Sequence, residues 1–217
     1  MTALNGLLVV ELCGERGQYM GKLMGDMGAR VVKIEPLLGS PERNIGPFKN
    51  DVPHPNSSLY FWARNTSKES FTVDLESPQG IAIVKKLLEK ADVFLEDRNP
   101  GFLESLGLGY EVLKKANKKL VMTSLTAFGQ DGPYRDYKSN DLVALAMGGI
   151  MHSCGYDDVP DSPPIRPSGG HGDFISAHYG LIGTLSALFY RDFTGVGQYL
   201  DVSAHEACSS TTEASIP

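Results

Sequence analysis

Residues 7–17, Leu-Leu-Val-Val-Glu-Leu-Cys-Gly-Glu-Arg-Gly, decide the fold class of this chain. The first six form a short apolar run, which is typical of a buried strand, and glycines follow at once. Residues 17–28 then have a helical period that ends in glycine, and residues 30–35 form a second strand-like run before Pro36. A strand, a helix and a second strand in this order predict a βαβ unit with parallel strands.

The same alternation continues through the rest of the sequence. Further strands are predicted at residues 70–75, 92–96, 119–126 and 198–203. Helices are predicted at residues 78–90, 141–149 and 173–191, and two short helical pieces within residues 103–116. Residues 37–58 and 156–172 are rich in turn-forming residues and are predicted to be loops. The pattern predicts an α/β fold with a Rossmann-like, open, mainly parallel sheet and helices on both faces. Ligands in such folds bind beyond the carboxyl ends of the strands.

Composition and charge exclude several classes of protein. The 217 residues are 41% hydrophobic and 21% charged, with a formal net charge of −6, which argues against a nucleic-acid partner. No apolar run approaches the roughly 20 residues of a membrane span, and no signal peptide is visible. The cysteines, Cys13, Cys154 and Cys208, are odd in number and far apart. We therefore expect a cytoplasmic protein with reduced thiols and no membrane partner.

The turn after the first strand lacks the dinucleotide-binding fingerprint. That fingerprint places three glycines as G-x-G-x-x-G directly after the strand. Only Gly14 and Gly17 are present here. A nicotinamide or flavin cofactor is therefore not predicted, although the turn can still bind another nucleotide-bearing ligand.

A second glycine-rich segment, residues 168–174, leads into the helix predicted at residues 173–191. Asp173 lies at this junction, and two interpretations fit it. Aspartate is a favoured N-cap, and from the residues alone this structural interpretation is preferred. A carboxylate can also act as a covalent nucleophile on an acyl centre, and His171 is close enough in sequence to orient it. No metal site is predicted, since His171 and His178 lack the i, i+4 spacing of a ligand pair.

Six segments, in this order along the chain, resemble one known family. They are residues 4–12 (LNGLLVVEL), 27–36 (MGARVVKIEP), 64–70 (RNTSKES), 91–96 (ADVFLE), 124–134 (SLTAFGQDGPY) and 194–198 (TGVGQ). Together they make the whole chain similar to the family III CoA-transferases. That family includes formyl-CoA transferase, carnitine CoA-transferase and the α-methylacyl-CoA racemases.

The resemblance implies a nucleophile and a reaction. In the family, the aspartate of a Gly-Asp pair at the head of the long helix attacks the thioester, and this pair matches Gly172 and Asp173. The catalytic interpretation of Asp173 is therefore favoured over the N-cap. The implied enzyme moves CoA from an acyl-CoA to a carboxylic acid through an aspartyl anhydride and an aspartyl-CoA thioester. It needs no metal and no permanently bound cofactor, because coenzyme A enters as acyl-CoA substrate.

The resemblance also implies where CoA binds. Matching positions lie at the carboxyl ends of the strands, with Lys138 as the best cationic contact. The implied contacts are Gly14, Glu15, Arg16, Gln18, Val73, Leu75, Asp97, Arg98 and Lys138. Candidates for orienting the substrate are Asn140, His171 and Gly172.

Family members are usually much longer, with a second, small domain and two chains interlocked as linked rings. We therefore expect residues 1–203 to form the Rossmann-like CoA-binding domain, and residues 204–217 to start a helix or linker toward a small domain. A homodimer or a partner subunit is implied. Two alternatives stay open: an inactive or accessory CoA-binding subunit, and a 2-methylacyl-CoA racemase. The racemase is disfavoured because Asn140 stands where that branch has a histidine base.

Overall fold

The computed structural model describes residues 2–156 and 158–212. These residues form one six-stranded sheet in which every neighbouring pair of strands is parallel. The strands are β1 (Leu8–Leu12), β2 (Arg30–Glu35), β3 (Lys68–Thr72), β4 (Val93–Glu96), β5 (Val121–Thr126) and β6 (Tyr199–Ser203). Their spatial order, β3-β2-β1-β4-β5-β6, is that of Rossmann folds. The predicted α/β fold with an open parallel sheet is therefore confirmed.

Helices cover both faces of the sheet. They are α1 (Gln18–Asp26), α2 (Leu59–Asn65), α3 (Pro78–Leu88), α4 (Phe102–Ser105), α5 (Tyr110–Ala116), α6 (Asp141–Met147), α7 (His171–Thr194) and α8 (Ala204–Ser210). Successive side chains of a strand point to opposite faces. Accordingly, Val9 of β1 packs in one apolar cluster with Met20 of α1 and Ala177 of α7. Its neighbour Val10 packs in the other cluster with Val84 of α3.

The third strand begins earlier than its predicted start at residue 70. Lys68 already pairs with β2, and its ammonium is buried against a carboxylate of β1. A lysine buried in this way breaks the apolar alternation from which strands are predicted. Pairing ends just beyond the strand, where the Val73 N–H donates to the Glu35 carbonyl at 2.9 Å.

Helix α2 follows directly on the predicted loop of residues 37–58 and was not predicted. Its N-cap is Ser58, whose hydroxyl accepts from the Phe61 N–H at 3.0 Å. The helix has seven residues, so its periodic signal is short. The two short helical pieces predicted within residues 103–116 are present as α4 and α5.

Helix α8 packs against the rest of the fold. Its Cys208 is fully buried in a cluster with Ala144 and Leu145 of α6. Residues 213–217, the last part of the segment expected to lead toward a small domain, lie outside the described residues. In the described ranges no helix is both long and apolar enough to cross a membrane.

A buried cluster of three charges lies beneath α1. The Glu11 carboxylate of β1 pairs with Lys33 of β2 at 2.9 Å and with Lys68 of β3 at 2.7 Å, and these side chains are at most 2% exposed. Lys33 also donates to the carbonyl of Cys13, where β1 enters its turn. A side chain on Gly21 of α1 would begin 1.7 Å from a Glu11 oxygen. Glycine therefore lets α1 lie directly over the charged cluster.

Candidate active site

The long helix α7 begins at His171, two residues before its predicted start. The N-cap is Gly170, at φ 79°, and Gly169 before it has φ 96°. Such left-handed backbone is readily adopted by glycine, so the pair can turn the chain into the helix early. Asp173 is consequently the third residue of the helix, and its interpretation as the N-cap is wrong. Its carboxylate is therefore not tied to the helix end.

The surroundings of Asp173 disfavour its charged form. Burial raises the pKa of this half-buried carboxyl from 3.8 to about 6, although the nearby Arg16 guanidinium opposes the rise. The negative charges of Asp141, Glu15 and Asp97 raise the pKa further. The group is thus still ionised at neutral pH but more basic than an exposed aspartate. This combination suits a nucleophile.

Asp173 lines an open cleft of about 500 Å³, here called the aspartate cleft. Its walls are Glu15, Pro47, Leu59, Tyr60, Ala63, Arg64, Asp141, Arg166, Gly169, Gly170 and Asp173. One wall is the exposed side of α2, and the facing wall is the segment before α7. Sequence reasoning did not find Arg64 or Arg166, since both enter the site through tertiary packing.

Asp141 fixes the start of α7 from across the cleft. Its Oδ1 accepts from the Gly172 N–H at 2.8 Å, and its Oδ2 lies 3.4 Å from Nη1 of Arg166. The neighbouring Asn140, a candidate for orienting the substrate, caps α6 by accepting from the Val143 N–H at 3.1 Å. The Asn140 amide is therefore engaged in helix capping, while Asp141 reaches the helix that carries Asp173.

A second cleft, of about 450 Å³, is here called the cationic cleft. Its walls are Arg16, Arg98, Asn99, Pro100, Thr126, Ala127, Arg135, Asp136, Tyr137, Lys138 and Ser139. Three predicted CoA contacts, Arg16, Arg98 and Lys138, meet here from three different loops. Arg135 joins them, although sequence reasoning did not select it. Four cations facing one carboxylate, Asp136, make a surface suited to phosphate groups.

The two clefts share a wall at the turn after β1. Glu15 lines the aspartate cleft, and its neighbour Arg16 lines the cationic cleft. Ser139 likewise lines the cationic cleft and Asp141 the aspartate cleft, and Nη2 of Arg16 lies 3.4 Å from the Ser139 carbonyl. An elongated ligand can therefore lie across this wall with one end in each cleft.

The Asp97 carboxylate forms hydrogen bonds to backbone groups of the protein itself. Its carboxylate accepts from the N–H groups of Gly14 at 2.8 Å and Gly17 at 3.0 Å, and its side chain is 6% exposed. These are the backbone donors with which Rossmann folds hold a pyrophosphate. In this chain an internal carboxylate already accepts from both donors, so this turn does not present them to a phosphate.

Other predicted contacts lie away from both clefts. Gln18 is fully buried, with its Oε1 accepting from the Asn65 amide at 2.8 Å. Val73 is buried in the apolar cluster beneath α3, and Leu75 packs against that cluster. His171 is exposed and lines neither cleft. Among the described residues no group of three His, Cys, Asp or Glu side chains is placed to hold a metal ion.

Replacing Asp97 with alanine is expected to lower the free energy of unfolding by about 1–3 kcal/mol, because one buried and one half-buried backbone donor lose their acceptor. Urea unfolding followed by circular dichroism measures the change. Asp136→Ala, at a side chain that is 79% exposed, is the matched control and should change stability by less than about 0.5 kcal/mol. Equal effects of the two substitutions would contradict the structural role of Asp97.

Comparison with known proteins identifies relatives of the whole chain. The profile of CoA-transferase family III matches residues 4–217. Succinyl-CoA–D-citramalate CoA-transferase of Chloroflexus aurantiacus is 38% identical over 202 residues, which cover 93% of this chain and 48% of the relative. The Thauera aromatica succinyl-CoA:(R)-benzylsuccinate CoA-transferase subunit BbsE is 36% identical over 199 residues, covering 92% and 48%.

Solved structures match as well. A CAIB/BAIF family protein from Brucella suis superposes with a TM-score of 0.89 at 34% identity, covering 98% of this chain and 56% of that one. The chain spans about half the length of the curated relatives it matches.

Proposed function

This chain belongs to CoA-transferase family III, and from that membership we propose that it moves CoA from an acyl-CoA thioester to a carboxylic acid, with Asp173 as the nucleophile. One observation carries the proposal: the Asp173 carboxylate is half-buried in one cleft, beside the wall shared with a cleft lined by four cations. A nucleophile and a phosphate-binding surface are thus adjacent. That is the arrangement a CoA thioester requires.

The two clefts divide the substrate between them in this proposal. The cationic cleft would hold the phosphates of CoA, with Arg16, Arg98, Arg135 and Lys138 as donors. The thioester would cross the shared wall at the turn after β1, and the acyl group would enter the aspartate cleft. CoA is a substrate here and no permanently bound cofactor is proposed.

The reaction exchanges the acid that is joined to CoA, and it neither takes up nor releases a proton overall. The Asp173 carboxylate attacks the thioester carbon, the C–S bond breaks, and an aspartyl–acyl anhydride and CoA thiolate result. The thiolate then attacks the aspartyl carbonyl, which releases the donor acid as a carboxylate and leaves an aspartyl-CoA thioester. An acceptor carboxylate repeats both steps in reverse order. Apart from the Gly172 N–H, which donates to Asp141, the N–H groups in the first turn of α7 are the candidates to stabilise each oxyanion.

Mass spectrometry tests the covalent intermediate directly. The protein is incubated with succinyl-CoA, quenched with hydroxylamine and digested. We expect an aspartyl hydroxamate at Asp173 that is absent from Asp173→Asn. If CoA binds but no thioester modifies Asp173, the covalent role is excluded.

The pH dependence gives a second test. Only the ionised carboxylate is nucleophilic, so kcat/KM is expected to fall about tenfold per pH unit below the pKa of Asp173, about 6. Because the Arg16 guanidinium lowers that pKa, Arg16→Gln should move the acid limb to higher pH. Initial rates from about pH 3.5 to 8, at acyl-CoA concentrations below each variant's KM, measure the limb. A limb near pH 4, or one that Arg16→Gln does not move, would contradict this assignment.

A second candidate function is a CoA-binding subunit that acts only with a partner chain. It is supported by the relative from Thauera aromatica, which is named as a subunit. CoA binding without turnover, together with turnover when a partner chain is added, would favour it. The racemase alternative stays disfavoured, since Asn140 caps α6 and supplies no base. Exchange of the α-proton of 2-methylacyl-CoA with deuterated solvent would revive it.

We also propose a cytoplasmic location and assembly as a homodimer or with a partner subunit. The location is supported by three free cysteines, two of them buried. Assembly is supported by the exposed apolar side chains of Ile182, Phe189 and Phe193 on α7. The small domain toward which residues 204–217 are expected to lead likewise stays a proposal.

A further inference from the structure

The cationic cleft lies where two neighbouring strands end. Strands β4 and β5 are parallel, and their register pairs Glu96 with Ser124. Continued by two residues, the same register places Arg98 beside Thr126, and both of these residues line the cleft. The carboxyl ends of parallel strands are the usual place for ligand-binding side chains in such folds. Two side chains therefore meet in this cleft from adjacent strand ends.

The hydroxyl of Thr126 is buried without a hydrogen-bond partner. Of the cleft walls, all within the described part of the chain, Thr126 is the only buried residue, at 3% exposure. In residues 2–156 and 158–212 no group forms a hydrogen bond with its Oγ1. By contrast Ser124, on the same face of β5, accepts from the Tyr199 hydroxyl at 3.0 Å. Because an unpaired buried hydroxyl costs free energy, a ligand in the cleft is the partner that Thr126 lacks.

Arg98 adds a second buried polar atom at the same place. Its Nε is buried and has no hydrogen-bond partner among the described residues, while the outer part of the side chain is exposed. The closest approach of Asp97, 4.0 Å from its Oδ1 to this Nε, is beyond hydrogen-bond distance. The backbone of Arg98 is fixed, since its N–H donates to Oε2 of Glu96 at 2.7 Å. The Nε–H is thus positioned before a ligand arrives and is available to it.

The charge around these two donors favours a phosphate oxygen as their acceptor. The cleft adds the cations of Arg16, Arg135 and Lys138, against one carboxylate, Asp136, that is 79% exposed. A neutral carbonyl oxygen could accept the same two hydrogen bonds, but it would not use this accumulated charge. A phosphate oxygen uses both, because charge-assisted hydrogen bonds to an anion are stronger than those to a neutral acceptor.

Glu96, two residues before Arg98, is a potential source of repulsion. Burial raises the pKa of its carboxyl to about 7, although hydrogen bonds from Ser124 and from the Arg98 N–H oppose the rise. Near neutral pH this carboxyl is therefore partly protonated. It repels a nearby anion less than an exposed glutamate would.

We propose that the Thr126 hydroxyl and the Nε–H of Arg98 form a buried subsite for a phosphate oxygen inside the cationic cleft, with Thr126 as a binding residue for the thioester substrate. This inference rests on the proposed function, in which the phosphates of CoA occupy the cleft. It adds a buried contact from an uncharged side chain to the charged ones. The 3′-phosphate and the diphosphate of CoA offer the same anionic oxygens, and either can fill the subsite.

Calorimetric titration with CoA tests the subsite. Thr126→Val keeps the shape of the side chain and removes its hydroxyl, so we expect it to weaken CoA binding about 10- to 100-fold. Thr126→Ser retains the hydroxyl and should retain most of the affinity. Thr123→Val, on the same strand, is the matched control: its hydroxyl bonds to Thr184 of α7 at 2.7 Å, so CoA affinity should not change. Arg98→Lys keeps the charge but loses the Nε–H, and it should weaken binding in the same direction as Thr126→Val.

Urea unfolding without ligand separates a binding role from a structural one. A hydroxyl without a partner in the fold contributes no internal hydrogen bond, so Thr126→Val should leave the urea midpoint equal or higher. A clear fall of the midpoint would show that Thr126 serves the fold, and the subsite would be overturned. Unchanged CoA binding by Arg98→Lys would overturn it independently of the behaviour of Thr126→Val.

Dephospho-CoA, which lacks the 3′-phosphate, identifies the phosphate that is bound. If the 3′-phosphate fills the subsite, Thr126→Val weakens binding of CoA and not of dephospho-CoA. If the diphosphate fills it, both ligands lose affinity by the same factor.

Labelling of Asp173 by succinyl-CoA separates this inference from the proposed function. If Thr126→Val binds CoA as tightly as the unmodified protein while Asp173 is still labelled, the transferase stands and the subsite is overturned. If CoA binding depends on Thr126 but no thioester labels Asp173, the subsite stands and the transferase fails. Absence of CoA binding by the unmodified protein would overturn the subsite.

Discussion

Asp173→Asn is expected to reduce CoA transfer by more than about a thousandfold, because a side-chain amide cannot attack a thioester to form an anhydride. Acyl-CoA binding should persist, since the four cations of the cationic cleft are untouched. Initial rates with succinyl-CoA and an acceptor acid measure the loss, and equilibrium titration with CoA measures binding. Transfer within tenfold of the unmodified protein would remove Asp173 from the reaction.

Asp173→Asn should not lower the free energy of unfolding, and this expectation follows from the raised pKa of Asp173. The folded-state pKa of Asp173, about 6, lies above the unfolded value of 3.8, so the folded state holds this proton more tightly. Ionisation therefore destabilises the fold progressively as pH rises from about 4 to 6, and fully above that. Asparagine does not ionise, so the urea midpoint at pH 7.5 should be equal or higher in the variant. At pH 4 the two midpoints should converge.

Asp141→Asn is the matched control for that experiment. Asp141 also lines the cleft, but its carboxylate accepts from the Gly172 N–H and contacts Arg166. Its replacement should lower the urea midpoint. If Asp173→Asn lowers the urea midpoint as much as Asp141→Asn does, the ionised Asp173 carboxylate stabilises the helix. That result would contradict the expectation that its ionisation destabilises the fold.

Glu11→Gln is expected to have the largest effect on stability, a loss of about 3–5 kcal/mol, because it leaves two buried ammonium groups without their counter-charge. The carboxylate lies 2.9 Å from Lys33 and 2.7 Å from Lys68, and its side chain is fully buried. Glu69→Gln makes the same chemical change on the sheet surface. There the partner is Arg30 at 2.9 Å, and both side chains are more than half exposed. Its loss should be below about 1 kcal/mol.

Urea unfolding of both variants in low and high salt distinguishes the two environments. Salt should diminish the small effect of Glu69→Gln and leave that of Glu11→Gln nearly unchanged, since buried pairs are screened much less. Equal losses in the two variants would show that the buried cluster is no more important than a surface ion pair. The cluster also holds the Cys13 carbonyl, so Glu11→Gln is expected to loosen the turn that carries Glu15 and Arg16.

Much of the fold could be predicted from the sequence because apolar runs and helical periods are local signals. The β1 run, the glycine turn and the β2 run identified the parallel sheet directly. The start of β3 could not be read, because Lys68 is buried by a carboxylate from another strand. Helix α2 was missed because it is short, although Ser58 before an aromatic run was a usable N-cap signal.

The candidate site was only partly readable, since most of its geometry is tertiary. The glycine-rich segment pointed to Asp173, but two left-handed glycines begin the helix earlier than the aspartate suggests. Resemblance supplied Arg16, Arg98 and Lys138, which the structure places in one cleft. No spacing rule could have brought Arg64 to Asp173, because they lie on separate helices joined through the cleft.

The Asp97 carboxylate, which follows β4, binds the backbone N–H groups of the turn after β1. The backbone of that turn therefore stabilises the fold and does not serve as a ligand-binding group. In other folds with this strand order, the turn that links the first strand and helix is itself the phosphate receptor, so altering the receptor disturbs the scaffold. Here the N–H groups of the turn are bound by an internal carboxylate, and of the four cations in the cationic cleft only Arg16 stands in the turn, while Arg98, Arg135 and Lys138 stand on other loops. Side chains on those loops can be exchanged one at a time while the sheet and its first helix stay as they are. The architecture is therefore well suited to evolutionary divergence, because residues on those loops can change while the sheet and the turn keep their structure.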